Sequence, residues 1–155
     1  MKRIASILAL VFLFIAGQSF AQRNNQSNYK HSLGVKFYPQ GVTYKNFIRD
    51  QKAIEAIGYF WKGTRICLLY ELHHTINGVN GLQWYVGPGA HVALYDRAYF
   101  GGANVLGIDG VLGLDYRIPG TPLNLSLDWQ PSFDFGKGSD FNGDWGGLSI
   151  RYIFK

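Results

Sequence analysis

Residues 122–135 read PLNLSLDWQPSFDF, and from Leu123 onward every second position is apolar. One face carries Leu123, Leu125, Leu127, Trp129, Pro131, Phe133 and Phe135. The other carries Asn124, Ser126, Asp128, Gln130, Ser132 and Asp134. Alternation of this length predicts a single long β-strand with two unlike faces. It does not say which face points inward. A soluble barrel would bury the Leu, Trp and Phe side chains, whereas a membrane barrel would turn them outward against lipid.

The N-terminus narrows that choice. Lys2 and Arg3 precede the apolar run ILALVFLFIA, and the small residues Ser19 and Ala21 stand at −3 and −1 of a cut before Gln22. This layout predicts a secretory signal peptide over residues 1–21, with an apolar run too short to span a bilayer as a helix. The mature chain, residues 22–155, is long enough for one domain. Its surplus of basic residues is small and scattered, which argues against a nucleic-acid partner. The single cysteine, Cys67, allows no intramolecular disulfide and sits in a strand-like run, as a packed thiol does. No spacing of Cys and His resembles a zinc site, and no cofactor is expected.

Charged residues make up 16% of the chain, well below the usual quarter of a soluble domain, while aromatic residues also reach 16%. After the signal no helical periodicity of useful length appears. Strand-like runs follow at 31–38, 41–48, 53–61, 65–74, 82–95, 105–118, 122–135 and 145–154, separated by turn chemistry. The first pair, GVKFYPQGVTYKNF, reads as two strands around Pro39 or one kinked strand. Two is preferred, because an even count brings both chain ends to one side of a membrane barrel. The expectation is an all-β, eight-stranded, antiparallel, up-and-down transmembrane β-barrel with long connections at 96–104 and 136–144. Pro88, within GLQWYVGPGAHVALY, is expected to mark a bulge, since proline removes a ladder hydrogen bond.

Three features favour apolar-out. The C-terminal SIRYIFK alternates and ends on an aromatic before Lys155, so Tyr152 and Phe154 read as the signal that outer-membrane assembly machinery recognises. The Leu123 face of the last three strands is free of charge, where one mid-membrane Arg or Lys would cost about 2–4 kcal/mol. The opposite phase collects the charges Lys36, Lys45, Glu55, Arg65, Glu71, Asp109, Asp115, Arg117, Asp128, Asp134 and Arg151, with His73 and His91. Near-balance of sign suits a narrow interior in which charges must pair. Asp128 and Arg151 are expected partners on adjacent strands, together with Asp115 and Arg117. Finally, aromatics gather near both strand ends: Trp84, Tyr116, Tyr152 and Phe154 at one, Phe60, Tyr95, Phe133, Phe135 and Trp145 at the other. Membrane interfaces select such belts.

The stretches GLQWYVGPGAHV, GIDGVLGLDYRIPGTPLNLSLDWQPSF and GGLSIRYIF resemble those of small outer-membrane barrels of the OmpA/OmpX type, over roughly residues 33–154. The resemblance implies an outer-membrane location, contact with membrane lipid and lipopolysaccharide, assembly by the barrel machinery and a monomer. It implies no activity, since fold does not supply function.

Two functional alternatives remain at this level. A lipid A acyl hydrolase or transferase would need a Ser, a His and an acid in hydrogen-bond reach. His31, Ser32, His73, His74, His91, Ser126, Ser132 and Ser149 are the available parts, with Ser126, Asp128 and His91 the best set. The HxSN-like element of a deacylase is missing. His73 and His74 fall on opposite faces and cannot share one interior metal. A narrow pore is the second alternative, although eight strands leave an interior that side chains fill. The leading expectation is a non-enzymatic barrel with a polar plug and a structural or surface-interaction role. Its long connections offer Arg97, Tyr99 and Phe100, then Lys137, Asp140 and Phe141.

Overall fold

The computed structural model describes residues 29–61, 63–95, 104–135 and 140–154. The expected signal peptide, most of the two long connections (with Arg97, Tyr99, Phe100 and Lys137) and Lys155 lie outside these residues. The described chain is all-β, with no helix: β1 His31–Phe37, β2 Gly41–Arg49, β3 Lys52–Phe60, β4 Gly63–Thr75, β5 Leu82–Tyr95, β6 Asn104–Arg117, β7 Leu123–Trp129, β8 Ser132–Phe135, β9 Phe141–Asn142 and β10 Gly146–Phe154. All pairings are antiparallel; successive strands pair along the chain from β1 to β7, β6 also pairs with β8 and β7 with β10, and β1 pairs with β10 to close the cylinder.

Ten segments make eight staves. On β6, Leu112 pairs with Trp129 of β7 and Asp109 with Ser132 of β8, so both segments keep one register across Gln130 and Pro131. The stretch 123–135 is therefore one long stave, with a gap in its ladder where proline has no N–H to give. The Pro131 carbonyl still accepts from the Gly110 N–H at 2.8 Å. β9 is a two-residue stub folded back on β8.

The pairings also fix the barrel's shape. Starting from Leu125, paired residues run through Ile150, Val35, Val42, Gly58, Ile66, Val92 and Leu106 and return to the same stave at Phe135. The stagger around the cylinder is thus ten residues, which for eight strands sets a tilt of about 40°.

The stretch around Pro39 is two strands, joined by a turn at Tyr38–Gln40 with a cis bond before Pro39. Pro88 makes no bulge, contrary to expectation. Leu69 pairs with Gly89 and Leu72 with Val86 in one unbroken register, and the β6 side of β5 is continuous through Pro88 and Gly110. The missing N–H faces β4 and costs ladder bonds without adding a residue. Gly87 and Gly89 let β5 lie close to β4 there, since a methyl at Gly87 would collide with the Tyr70 carbonyl oxygen. Among the described residues the one register shift is in the β2–β3 hairpin, between Phe47 and Arg49.

Side chains alternate strictly. Outward stand large apolar residues on every stave, among them Val35, Val42, Ile54, Leu68, Val86, Leu112, Leu127 and Ile150, all exposed. Inward stand mostly charged and polar residues, with a smaller apolar cluster that includes Ile57, Cys67, Leu69 and Val111, and the largest fully buried side chains include Arg65, Arg151, Lys36, Lys45, Glu55 and Glu71.

Candidate functional site: the polar interior

The interior side chains form three linked levels. At the level nearest the chain termini, Arg151 on β10 is a hub. Its guanidinium donates to Glu55 on β3, to Asn124 Oδ1 at 3.0 Å, to Ser126 Oγ at 2.9 Å and to Thr43 Oγ1 at 3.2 Å. Thr43 in turn donates to Glu55, and Asn124 Nδ2 donates to Asp115 at 2.7 Å. Lys45 sits among three carboxylates, 2.7 Å from Glu71, 3.3 Å from Glu55 and 3.5 Å from Asp115, with its ammonium 4.2 Å from the Tyr85 ring centroid. His73 Nε2 lies 2.8 Å from Glu71 and stacks on Tyr85.

The middle level is built around Asp128. Lys36 donates to both of its oxygens, at 2.6 and 2.7 Å, and Tyr85 Oη donates to Oδ2 at 2.8 Å. Tyr59 Oη donates to Gln130 Oε1 at 2.7 Å. Gln130 Nε2 reaches Asp109 Oδ1 at 3.3 Å, which links this level to the third.

The third level lies toward the long connections. Arg65 pairs with Asp109 at 2.5 Å, and Arg65 Nε donates to the buried Cys67 Sγ at 3.3 Å. His91 lies between two carboxylates, with Nδ1 2.9 Å from Asp109 and Nε2 3.0 Å from Asp134. Charge-assisted bonds of this kind are about twice as strong as neutral ones, and sequestration from water makes each partner's loss costly.

Both ends of the network are covered by rings. Trp145, just before β10, lies 4.1 Å over the Arg65 guanidinium and 5.0 Å from Tyr59. At the terminal end Tyr29 packs edge-on to Phe47 at 4.9 Å, with Ala53 and Ile153 beside them. Burial pushes the Tyr29 phenol well above the ordinary tyrosine range.

The expected interior residues fall as follows. Lys36, Lys45, Glu55, Arg65, Glu71, His91, Asp109, Asp115, Asp128 and Arg151 are buried inside, as is His73. Asp134 is partly exposed at the third level, and Arg117 is half-buried at the terminal end of β6 with no ion pair among the described residues. Tyr152 and Phe154 face outward, in edge contact at 5.3 Å. Two expectations are corrected. Asp128 and Arg151 are not partners: on the β7–β10 ladder Asp128 lies opposite Gly147 and Arg151 opposite Asn124, four residues apart along the stave. Trp145 joins no outward belt, because its ring covers the inward cation Arg65.

The Ser126, Asp128 and His91 set does not form. His91 and Asp134 both lie opposite Gly107, and Ser126 is eight residues down the same stave, roughly 26 Å away at strand rise. Ser126 instead accepts from Arg151. His31 bonds Tyr44 Oη at 2.9 Å, and His74 stacks on Trp84. The uncharged members Asn124 and Gln130 lie on the polar face opposite Leu123, whereas Thr43, Tyr59 and Tyr85 escape a reading of charges alone. Their signal was the shared inward phase of their strands.

Comparisons with protein-family models, with curated proteins and with solved structures each find no match.

Proposed function

We propose that the chain is an integral outer-membrane β-barrel of the small OmpA/OmpX-like kind, non-enzymatic, with its interior closed by a polar plug. Its role is structural, or one of surface interaction at the rim of the long connections. One observation carries the reading: the cylinder is inside-out. Exposed Leu, Ile, Val, Phe and Trp side chains clothe every stave, and Lys, Arg, Asp and Glu fill the core. Monomeric soluble proteins rarely expose an apolar surface of this extent, whereas a bilayer requires one. Paired charges stand at every level of the interior, and buried apolar side chains such as Ile57, Leu69 and Val111 pack among them, which favours a filled barrel over an open pore.

Phe141 and Asp140 are exposed at the rim of the long connections, where lipopolysaccharide headgroups or a partner would meet them. The outward Tyr152 and Phe154 on the last strand suit recognition by the assembly machinery. The test is cell fractionation with gel migration before and after boiling. Heat-modifiable migration in the outer-membrane fraction is the expected result. A soluble periplasmic protein with heat-independent migration would overturn the reading.

A further inference from the structure

The two rims of the barrel differ in charge. At the terminal rim Lys30, Arg49 and Lys52 are exposed, and Arg117 is half-buried on the same end but across the barrel from them. Among the described residues the one exposed carboxylate of that rim is Asp50. At the opposite rim the exposed charges among the described residues are Asp140 and Asp144.

The three exposed cations occupy neighbouring strand ends. The Lys30 carbonyl accepts from the Phe47 N–H at 3.0 Å, which sets Lys30 beside the end of β2. Arg49 and Lys52 are direct partners across the β2–β3 hairpin, at the register shift. Like charges placed opposite one another destabilise a strand pair unless something neutralises them. Among the described residues none of Lys30, Arg49, Lys52 or Asp50 makes an ion pair. Directly above them the outward face turns apolar at Ile48 and Ile54, both exposed. Arg49 and Lys52 therefore stand one and two residues past the edge of the apolar band, at headgroup height if that band lies in lipid.

We infer that this rim seats anionic phospholipid headgroups of the leaflet it faces. The inference rests on the membrane reading above. A headgroup phosphate supplies the counter-charge that Arg49 and Lys52 lack, while its acyl chains lie along Ile48 and Ile54. A soluble polyanion would satisfy the charges but not the adjoining apolar strip, so lipid is the better fit.

The test uses the full barrel in phosphatidylcholine vesicles, with spin-labelled phosphatidylglycerol and spin-labelled phosphatidylcholine as probes. The variant carries Lys30→Gln, Arg49→Gln and Lys52→Gln, and Lys52→Gln alone serves as a milder change. Wild type is expected to favour the anionic probe by about fivefold at low salt, the value of one well-placed cation. The preference falls to about one in the triple variant, falls partway in Lys52→Gln, and is lost in wild type at high salt. A wild-type ratio of one, or a ratio unchanged in the triple variant, overturns the inference. So does polyglutamate that co-sediments with wild-type but not variant vesicles and abolishes the probe preference, which would mark a docking face for soluble polyanions. Heat-modifiable migration of each protein from the vesicles tests the membrane reading separately.

Discussion

Lys36 Nζ meets both carboxylate oxygens of Asp128, at 2.6 and 2.7 Å, with both side chains sealed inside the barrel. β10 separates β1 from the stave that bears Asp128, so this pair ties two staves that share no ladder. Tyr85 Oη donates to the same carboxylate at 2.8 Å from β5, two staves away on the other side, beyond β6. Three staves are thus joined through one acid.

Asp128→Ala leaves the buried Lys36 ammonium without its partner and Tyr85 without its acceptor. The expected loss is about 3–5 kcal/mol of unfolding free energy. Replacing both members, as Lys36→Met with Asp128→Leu, removes the unpaired charge and should recover most of it. Urea titration of the refolded barrel in lipid vesicles measures each variant. An Asp128→Ala barrel with the wild-type midpoint would remove Asp128 from the stabilising network.

Arg151 is the corresponding hub of the terminal level, bonded to Glu55, Asn124, Ser126 and Thr43. Arg151→Met should cost about 3–5 kcal/mol, since Glu55 is left buried and one cation short. The double-mutant cycle with Glu55→Gln should return a coupling of about 1–3 kcal/mol. A coupling near zero, measured by the same urea titrations, would mean that Glu55 is held by Lys45 and Thr43 alone.

Much of this arrangement is legible in the sequence because the period of a strand is two. One phase choice at Leu123 assigns the faces of a whole stave, and the same phase carried to β1, β3 and β4 puts Lys36, Glu55 and Arg65 inside. Partners are not legible in that way. Periodicity assigns a face but not a height, and height depends on the ten-residue stagger, which arises only when the last strand meets the first. Asp128 and Arg151 share a face on adjacent staves and still sit four residues apart. The turn of Trp145 onto Arg65 was hidden for another reason: it lies between strands, where no alternation governs its direction.

The outward face gives a test of environment. Ile150 lies at the centre of β10 and points outward. Ile150→Arg should lower stability by about 2–4 kcal/mol in vesicles, and the same change at Phe154, near the strand end, by about 0–1 kcal/mol. A depth-dependent loss is the signature of a hydrocarbon slab. Equal small losses at both positions, read from vesicle-refolded protein by urea titration, would argue for water on that face.

Backbone proximity supplies the last test, and it separates two glycines of adjacent strands. Gly87 faces β4 so closely that a methyl there would overlap the Tyr70 carbonyl oxygen, and backbone cannot swing aside as a flexible side-chain tip can. At Gly110 on β6 the nearest atom to an added methyl is Pro131 Cγ, 3.7 Å away, an ordinary contact. Gly87→Ala is therefore expected to cost about 1–3 kcal/mol, the usual range for overpacking. Gly110→Ala should stay within about 0.5 kcal/mol of wild type. Because Pro88 already leaves the β4 side short of ladder bonds, the Gly87 loss should show as faster hydrogen exchange at the β4–β5 seam. Equal midpoints for the two variants, with unchanged exchange at that seam, would mean that β4 and β5 do not approach as closely as the glycines allow.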